Sequence, residues 1–197
     1  MKWFKHLFPT KTRSKEKQDF YNASNAYFLG ERLFRESTLS DESIEIRKNK
    51  EAEALKLFDK TIELGFEEEP ELYSMRGYIL NDLEFYFDAL EDFNKAILKK
   101  PKKGIASNYF MRGCIKESIY DFDGAITDIE EAIRLSKPDN ENNRFWNGHY
   151  QKIHFNTATE YYEWVLTTIK RRRFLKEQSH ELSPTDIQMK LQKIKRR

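Results

Sequence analysis

The sequence predicts an all-α chain, an α-solenoid of stacked helical hairpins with a degenerate C-terminal cap and basic tails. Three observations carry that prediction. Residues 73–80 read YSMRGYIL and residues 109–116 read YFMRGCIK, so Tyr-x-Met-Arg-Gly-x-Ile is written twice, 36 residues apart. A period of that length marks a repeat architecture, whose units bury a core only by stacking. Apolar positions within each copy recur every three or four residues, as in Leu90, Phe93, Ala96 and Ile97, and that period belongs to helices. Each copy then breaks once in its middle, around Asp82–Phe87 and Ser118–Asp123, and each ends in a proline, Pro101 and Pro138.

Taken in chain order, residues 1–18 hold six Lys/Arg against Glu16 alone, a net of +5. The opening MKWFKHLFP has no continuous apolar run of the ~7–15 residues a secretory signal needs, because Lys5 and His6 interrupt it. Trp3, Phe4, Leu7 and Phe8 share a helical face beside Lys2 and Lys5. Such a stretch with a polybasic segment can make a weak contact with an anionic membrane surface. The competing expectation is that it tucks against the solenoid. No apolar run approaches the ~18 residues of a membrane span, and one cysteine, Cys114, leaves no internal disulfide framework. The expected address is the cytoplasm, with the membrane periphery as the alternative.

Residues 19–138 form the expected solenoid of about three hairpins. Copies two and three, aligned over 70–101 and 106–137, share Tyr73/Tyr109, Met75/Met111, Arg76/Arg112, Gly77/Gly113, Ile79/Ile115, Ala89/Ala125, Asp92/Asp128, Ala96/Ala132 and Ile97/Ile133. A weaker first copy places Ala26, Gly30 and Leu33 on one helix and Ala54 and Phe58 on the next. Gly30 and Ala54 stand 24 residues apart, where the later copies have 12. The surplus is STLSDESIEIRKNK, residues 37–50: either both helices are extended, or a polar loop sits beside the turn. Where the later copies carry Arg76 with Asp92 and Arg112 with Asp128, the first carries Leu29 and Leu57. Charge matches charge and apolar matches apolar, which predicts a pair across the two helices of each hairpin. Phe85 and Phe87, at a hairpin turn, are expected to be covered by Ile44 or Ile46 of the insert.

Residues 139–178 are a degenerate repeat or capping hairpin, with Asn140–Phe155 and Thr157–Gln178 as its helices. Thr157-x-x-Glu160 reads as a capping box. Residues 179–197 form a basic C-terminal helix or tail, with Ile187, Leu191 and Ile194 on one face. Residues 170–197 carry a net of +7, so an overall charge of +2 leaves the middle of the chain at −10. The runs KRRR and KIKRR could touch phosphates, but an acidic body without a readable nucleic-acid motif disfavours nucleic acid as a partner.

Tyr73, Gly77, Ala89, Phe93, Ala96 and Pro101, and again Tyr109, Gly113, Ala125, Ile129, Ala132 and Pro138, resemble the tetratricopeptide repeat. That pattern asks for an aromatic, Gly four places on, Ala twelve further, a large apolar residue, Ala again and a closing Pro. Lys116 departs from it where the earlier copy has Leu80. The resemblance implies a right-handed superhelix whose concave face is lined by the first helix of each hairpin. It puts Tyr27, Glu31 and Phe34, then Ser74, Tyr78 and Asn81, then Phe110, Cys114 and Glu117 on that face. Aromatic anchors among scattered polar groups suit an extended peptide or an amphipathic helix. Some co-chaperones of this family grip a terminal carboxylate with Lys, Arg and Asn at such positions. Here only Asn81 qualifies, so that clamp is not expected.

No catalytic chemistry is legible. His6, His149, His154 and His180 lack metal-ligand spacing, and no phosphate-loop, dinucleotide, nucleophile-elbow or zincin motif occurs. The expectation is a non-catalytic adaptor, scaffold or assembly factor without cofactor or metal. Its partner would be a protein or peptide held in the concave groove. The alternative is a membrane-surface or nucleic-acid-associated scaffold acting through its tails. Tail binding would weaken steeply with salt and groove binding would not.

Overall fold

The computed structural model describes residues 10–39, 42–67, 69–99, 105–136, 155 and 157–179. Seven helices and no strand occur among the described residues: α1 (Thr10–Leu39), α2 (Ile44–Glu63), α3 (Pro70–Asp82), α4 (Tyr86–Leu98), α5 (Ile105–Ser118), α6 (Phe122–Ser136) and α7 (Ala158–Ser179). The amphipathic stretch at 3–8, both closing prolines, the 140–154 half of the capping hairpin and the 180–197 tail lie outside the described residues. The chain divides into two compact units, Met1–Leu72 and Tyr73–Arg197.

In the first unit α1 and α2 form an antiparallel hairpin. The Thr61 hydroxyl reaches the Ala23 carbonyl at 3.5 Å, while a Cβ on Gly30 would meet the Phe58 ring at 2.8 Å and the Ala54 carbonyl at 3.4 Å. Gly30, Ala54 and Phe58 therefore occupy the close-approach positions the first copy was expected to have. The 37–50 surplus is helical at both ends: α1 runs to Leu39, and α2 starts at Ile44, capped by the Ser43 hydroxyl accepting from the Ile46 amide. Both helices are extended, and the polar-loop alternative falls. On α2, Ile44 and Ile46 are 65% and 46% exposed.

The second unit shows why its sequence repeats. Arg76 donates to Asp92 through Nε at 2.6 Å and Nη2 at 2.7 Å, and Arg112 donates to Asp128 in the same two-pronged way at 2.8 and 2.5 Å. The predicted cross-hairpin pair is present in both copies, and both carboxylates are buried. Burial pushes the Asp92 carboxyl up, and Arg76 only partly offsets it. Lys116, the departure from the repeat pattern, adds a second cation on Asp128 at 2.8 Å. The small residue at Gly113 has a packing cause: a Cβ there would lie 2.8 Å from Ile129 Cδ1 and 3.1 Å from the Ala125 carbonyl. At Gly77 the nearest neighbour is the Phe93 ring rather than Ala89.

Helices α2, α3 and α5 end in one motif. Phe66, Phe85 and Asp121 donate their amides back five residues, while Gly65, Glu84 and Tyr120 donate back three. This is a Schellman cap, whose penultimate residue must turn left-handed. Gly65 takes φ 77°, and Glu84 and Tyr120 take 64° and 67° without the freedom of glycine.

Candidate functional site

The inner positions must be taken unit by unit. On α1, Tyr27 and Phe34 are buried and Glu31 is half-buried. Tyr27 packs against Phe58 and Phe66, with ring centroids 6.5 and 5.9 Å away. Burial first, then Glu31, raises its hydroxyl well above the ordinary phenol range. The accessible aromatic is the next residue: Phe28 is 59% exposed and lines an open hollow with Glu31, Arg32, Arg35, Glu36, Glu42 and Lys50. Arg35 grips Glu31 at 2.7 Å, and Lys50 bridges Glu42 at 2.7 Å and Glu36 at 3.5 Å. The rim is thus a ring of opposed charges around an apolar floor. Only the extended first turns of α2 bring Lys50 there, so the surplus residues complete this hollow.

On α3, Ser74, Tyr78 and Asn81 are half-buried. The Tyr78 and Ser107 hydroxyls share a 2.5 Å hydrogen bond, and the Tyr78 ring stands edge-on to Phe93 at 5.4 Å. Tyr78 therefore ties α3 to α5 as well as presenting a phenol edge.

On α5, the three inner positions meet α7. Phe110 is buried and stacks on Tyr162 with centroids 4.2 Å apart and 18° between planes. Glu117 accepts from Arg172 at 2.5 Å. Cys114 packs against the cluster that includes Tyr162 and Ile169, and burial pushes its thiol up to about 12. Low-numbered residues of α5 meet low-numbered residues of α7, so these helices run parallel. Against α6 the order is reversed: Ser136 meets Thr159 at 2.8 Å and Asp123 meets Arg173 at 2.6 Å. Helix α7 is started by the Thr157 hydroxyl accepting from the Glu160 amide, as the capping box predicted. It takes the place of a first helix in a following hairpin, whereas the sequence reading made it a second helix.

Two features escaped the sequence reading. Phe28 lies one residue beyond an expected inner position, and only the burial of Tyr27 reveals which aromatic faces out. The sequence weighs the KRRR run for phosphate contact, yet Lys170 pairs with Glu130, Arg172 with Glu117 and Arg173 with Asp123. Those partners stand 40 to 55 residues away in sequence, beyond any local signal. Among the described residues no cluster of potential ligands could hold a metal, and no helix is long and apolar enough to cross a membrane.

No family model matches the chain, and no curated protein matches it. Solved structures do. The TPR domain of Arabidopsis OM64 is 17% identical with a TM-score of 0.52, over 76% of this chain and 98% of that one. The TPR2B domain of yeast Sti1, in its complex with pHsp70, is 18% identical with a TM-score of 0.53, over 78% of this chain and 99% of that one. With the close-approach glycines of three hairpins and the repeated Arg–Asp pairs, these likenesses establish that the chain has the tetratricopeptide-repeat fold.

Proposed function

We propose that the chain is a non-catalytic protein-binding module that takes a peptide on the inner faces of its first helices. The observation that carries this is the hollow around Phe28. An exposed phenylalanine costs free energy in water, and here it is ringed by Glu31, Arg32 and Arg35 rather than covered. An extended peptide with an apolar side chain for Phe28 and polar flanks suits that surface. In the second unit, taken by itself, Ser74, Tyr78 and Asn81 offer polar contacts on the α3 face. The yeast neighbour's complex with pHsp70 supports peptides as the partner class, while the absence of Lys and Arg at the inner positions of α3 and α5 argues against a terminal carboxylate as the anchor.

The organisation that goes with this function is a solenoid over 19–138, a cap over 139–178 and basic segments at 1–18 and 179–197. The test is selection from a displayed peptide library against the intact chain, followed by titration of the enriched peptides against Phe28→Ser and Tyr78→Phe. Loss of binding on Phe28→Ser with an unchanged helical spectrum supports the reading. Equal binding by intact chain and Phe28→Ser refutes it.

A second reading keeps the tails as a membrane-surface contact. The first turn of α1 has no acidic residue, and Lys15 and Lys17, on either side of Glu16, are exposed. Co-sedimentation with anionic vesicles, lost in about 0.5 M salt, would support it, and equal recovery with neutral vesicles would exclude it.

A further inference from the structure

We propose that α7 is a releasable cap on the inner face of α5. Its seat has the chemistry to accept a basic amphipathic helix from a partner once α7 leaves. The inference is independent of the hollow around Phe28, which lies in the other unit.

The seat is built of two parts. The apolar part is the Phe110 ring with Cys114, Ala125 and Ile129, on which Tyr162 and Ile169 rest. The polar part is a row of carboxylates, Glu117, Asp123 and Glu130, each engaged by one cation of α7. Beyond them Lys176 sits over the Tyr120 ring at 4.3 Å. The occupant's pattern follows: an aromatic pair, an apolar residue seven places on, and a basic run after it. Residues Tyr161-Tyr162, Ile169 and Lys170–Arg173 write that pattern.

The attachment is of the kind that opens. Tyr162 and Ile169 of α7 are buried and Ala158, Tyr161, Val165 and Leu166 are partly buried against the same cluster, while Trp164, Phe174 and Leu175 face solvent. Lys170 and Glu130 are each 51% exposed, and Arg173 and Asp123 are more than 40% exposed, so salt screens both pairs. A single helix held on one side by a narrow apolar stripe and on the other by exposed, salt-screened pairs can open locally at less cost than the whole fold. Opening α7 would uncover Phe110, Cys114 and Glu117 together. Those are the three α5 positions that the repeat resemblance places on the concave face.

Cys114 is the chain's one thiol, so it reports this event without engineering. The experiment follows alkylation of Cys114 by iodoacetamide in the full chain, beside the global unfolding rate, in low and high salt. Arg172→Glu should speed alkylation on the order of tenfold with the helical spectrum unchanged, because it removes one pair and sets two carboxylates together. The exchanged double variant Glu117→Arg with Arg172→Glu should return the rate toward the original. A peptide of residues 157–179 should slow alkylation of the Arg172→Glu chain, and the same peptide carrying Arg172→Glu should not. Alkylation at the global unfolding rate in every variant would overturn the releasable cap. Faster alkylation without protection by the unaltered peptide would overturn the partner-helix seat.

Discussion

Replacing Arg76 by leucine puts the repeated Arg–Asp pair to its sharpest test. The Asp92 side chain has no exposed surface and Arg76 retains 17%, so Arg76→Leu strands a carboxylate that water cannot reach. Breaking a buried pair from one side costs about 3–5 kcal/mol. Asp92→Leu leaves the guanidinium, whose long stem lets it turn outward, so its cost should be smaller, about 1–3 kcal/mol. The double replacement by leucine should fall within about 1 kcal/mol of the original, because a well-packed apolar pair often equals a buried ionic one. In the first hairpin Leu29 and Leu57 hold the corresponding positions, with Leu29 37% exposed. Urea unfolding of the four proteins, read as midpoints at constant slope, gives the coupling directly. A coupling below about 1 kcal/mol, or a double variant as unstable as the worse single one, would refute the pairing argument.

Glycine at the two strained caps should stabilise. Glu84→Gly relieves a left-handed residue and should gain about 0.5–1 kcal/mol in thermal unfolding. Tyr120→Gly should gain less, because it also removes the ring under Lys176. Gly113→Ala should cost more than Gly77→Ala. Both gain helix propensity, but at Gly113 the new methyl meets the Ala125 backbone carbonyl at 3.1 Å, whereas at Gly77 its nearest neighbours are Phe93 ring atoms. Differences of about 1–2 kcal/mol between the two are expected in urea, and equal costs would count against the backbone contact. The stability gap between the original chain and Cys114→Ala should change in alkali. A thiol raised to about 12 in the fold favours the folded state fully below its unfolded value near 9 and loses that contribution as pH climbs toward 12. The original should therefore lose ground to Cys114→Ala between pH 9 and about 11 in chemical unfolding, and a constant gap would contradict the buried thiol.

The hairpins of the middle of the chain were readable because their cause is local and written twice. A glycine, an alanine twelve residues on and an apolar period set the two helices of a hairpin together, and an arginine sixteen residues before an aspartate predicts their pair. The first copy was legible in its Gly30, Ala54 and Phe58 but not in its insert. Nothing in STLSDESIEIRKNK separates a loop from two extended helices until Ser43 is seen capping α2. The expected inner face was legible as a row of positions but not as a surface. Tyr27 and Phe110 are buried by Phe66 and Tyr162, residues that no period connects to them.

Sequence alone determined the helical class, the hairpin period, the close-approach glycines and the paired charges. Each depends on residues within one or two turns, or within one hairpin, of each other. Tertiary structure decided which aromatic faces water, where the basic run of α7 finds its acids, and which inner positions are covered. Those outcomes depend on contacts between elements tens of residues apart, where the same side chain is core or surface according to what packs against it.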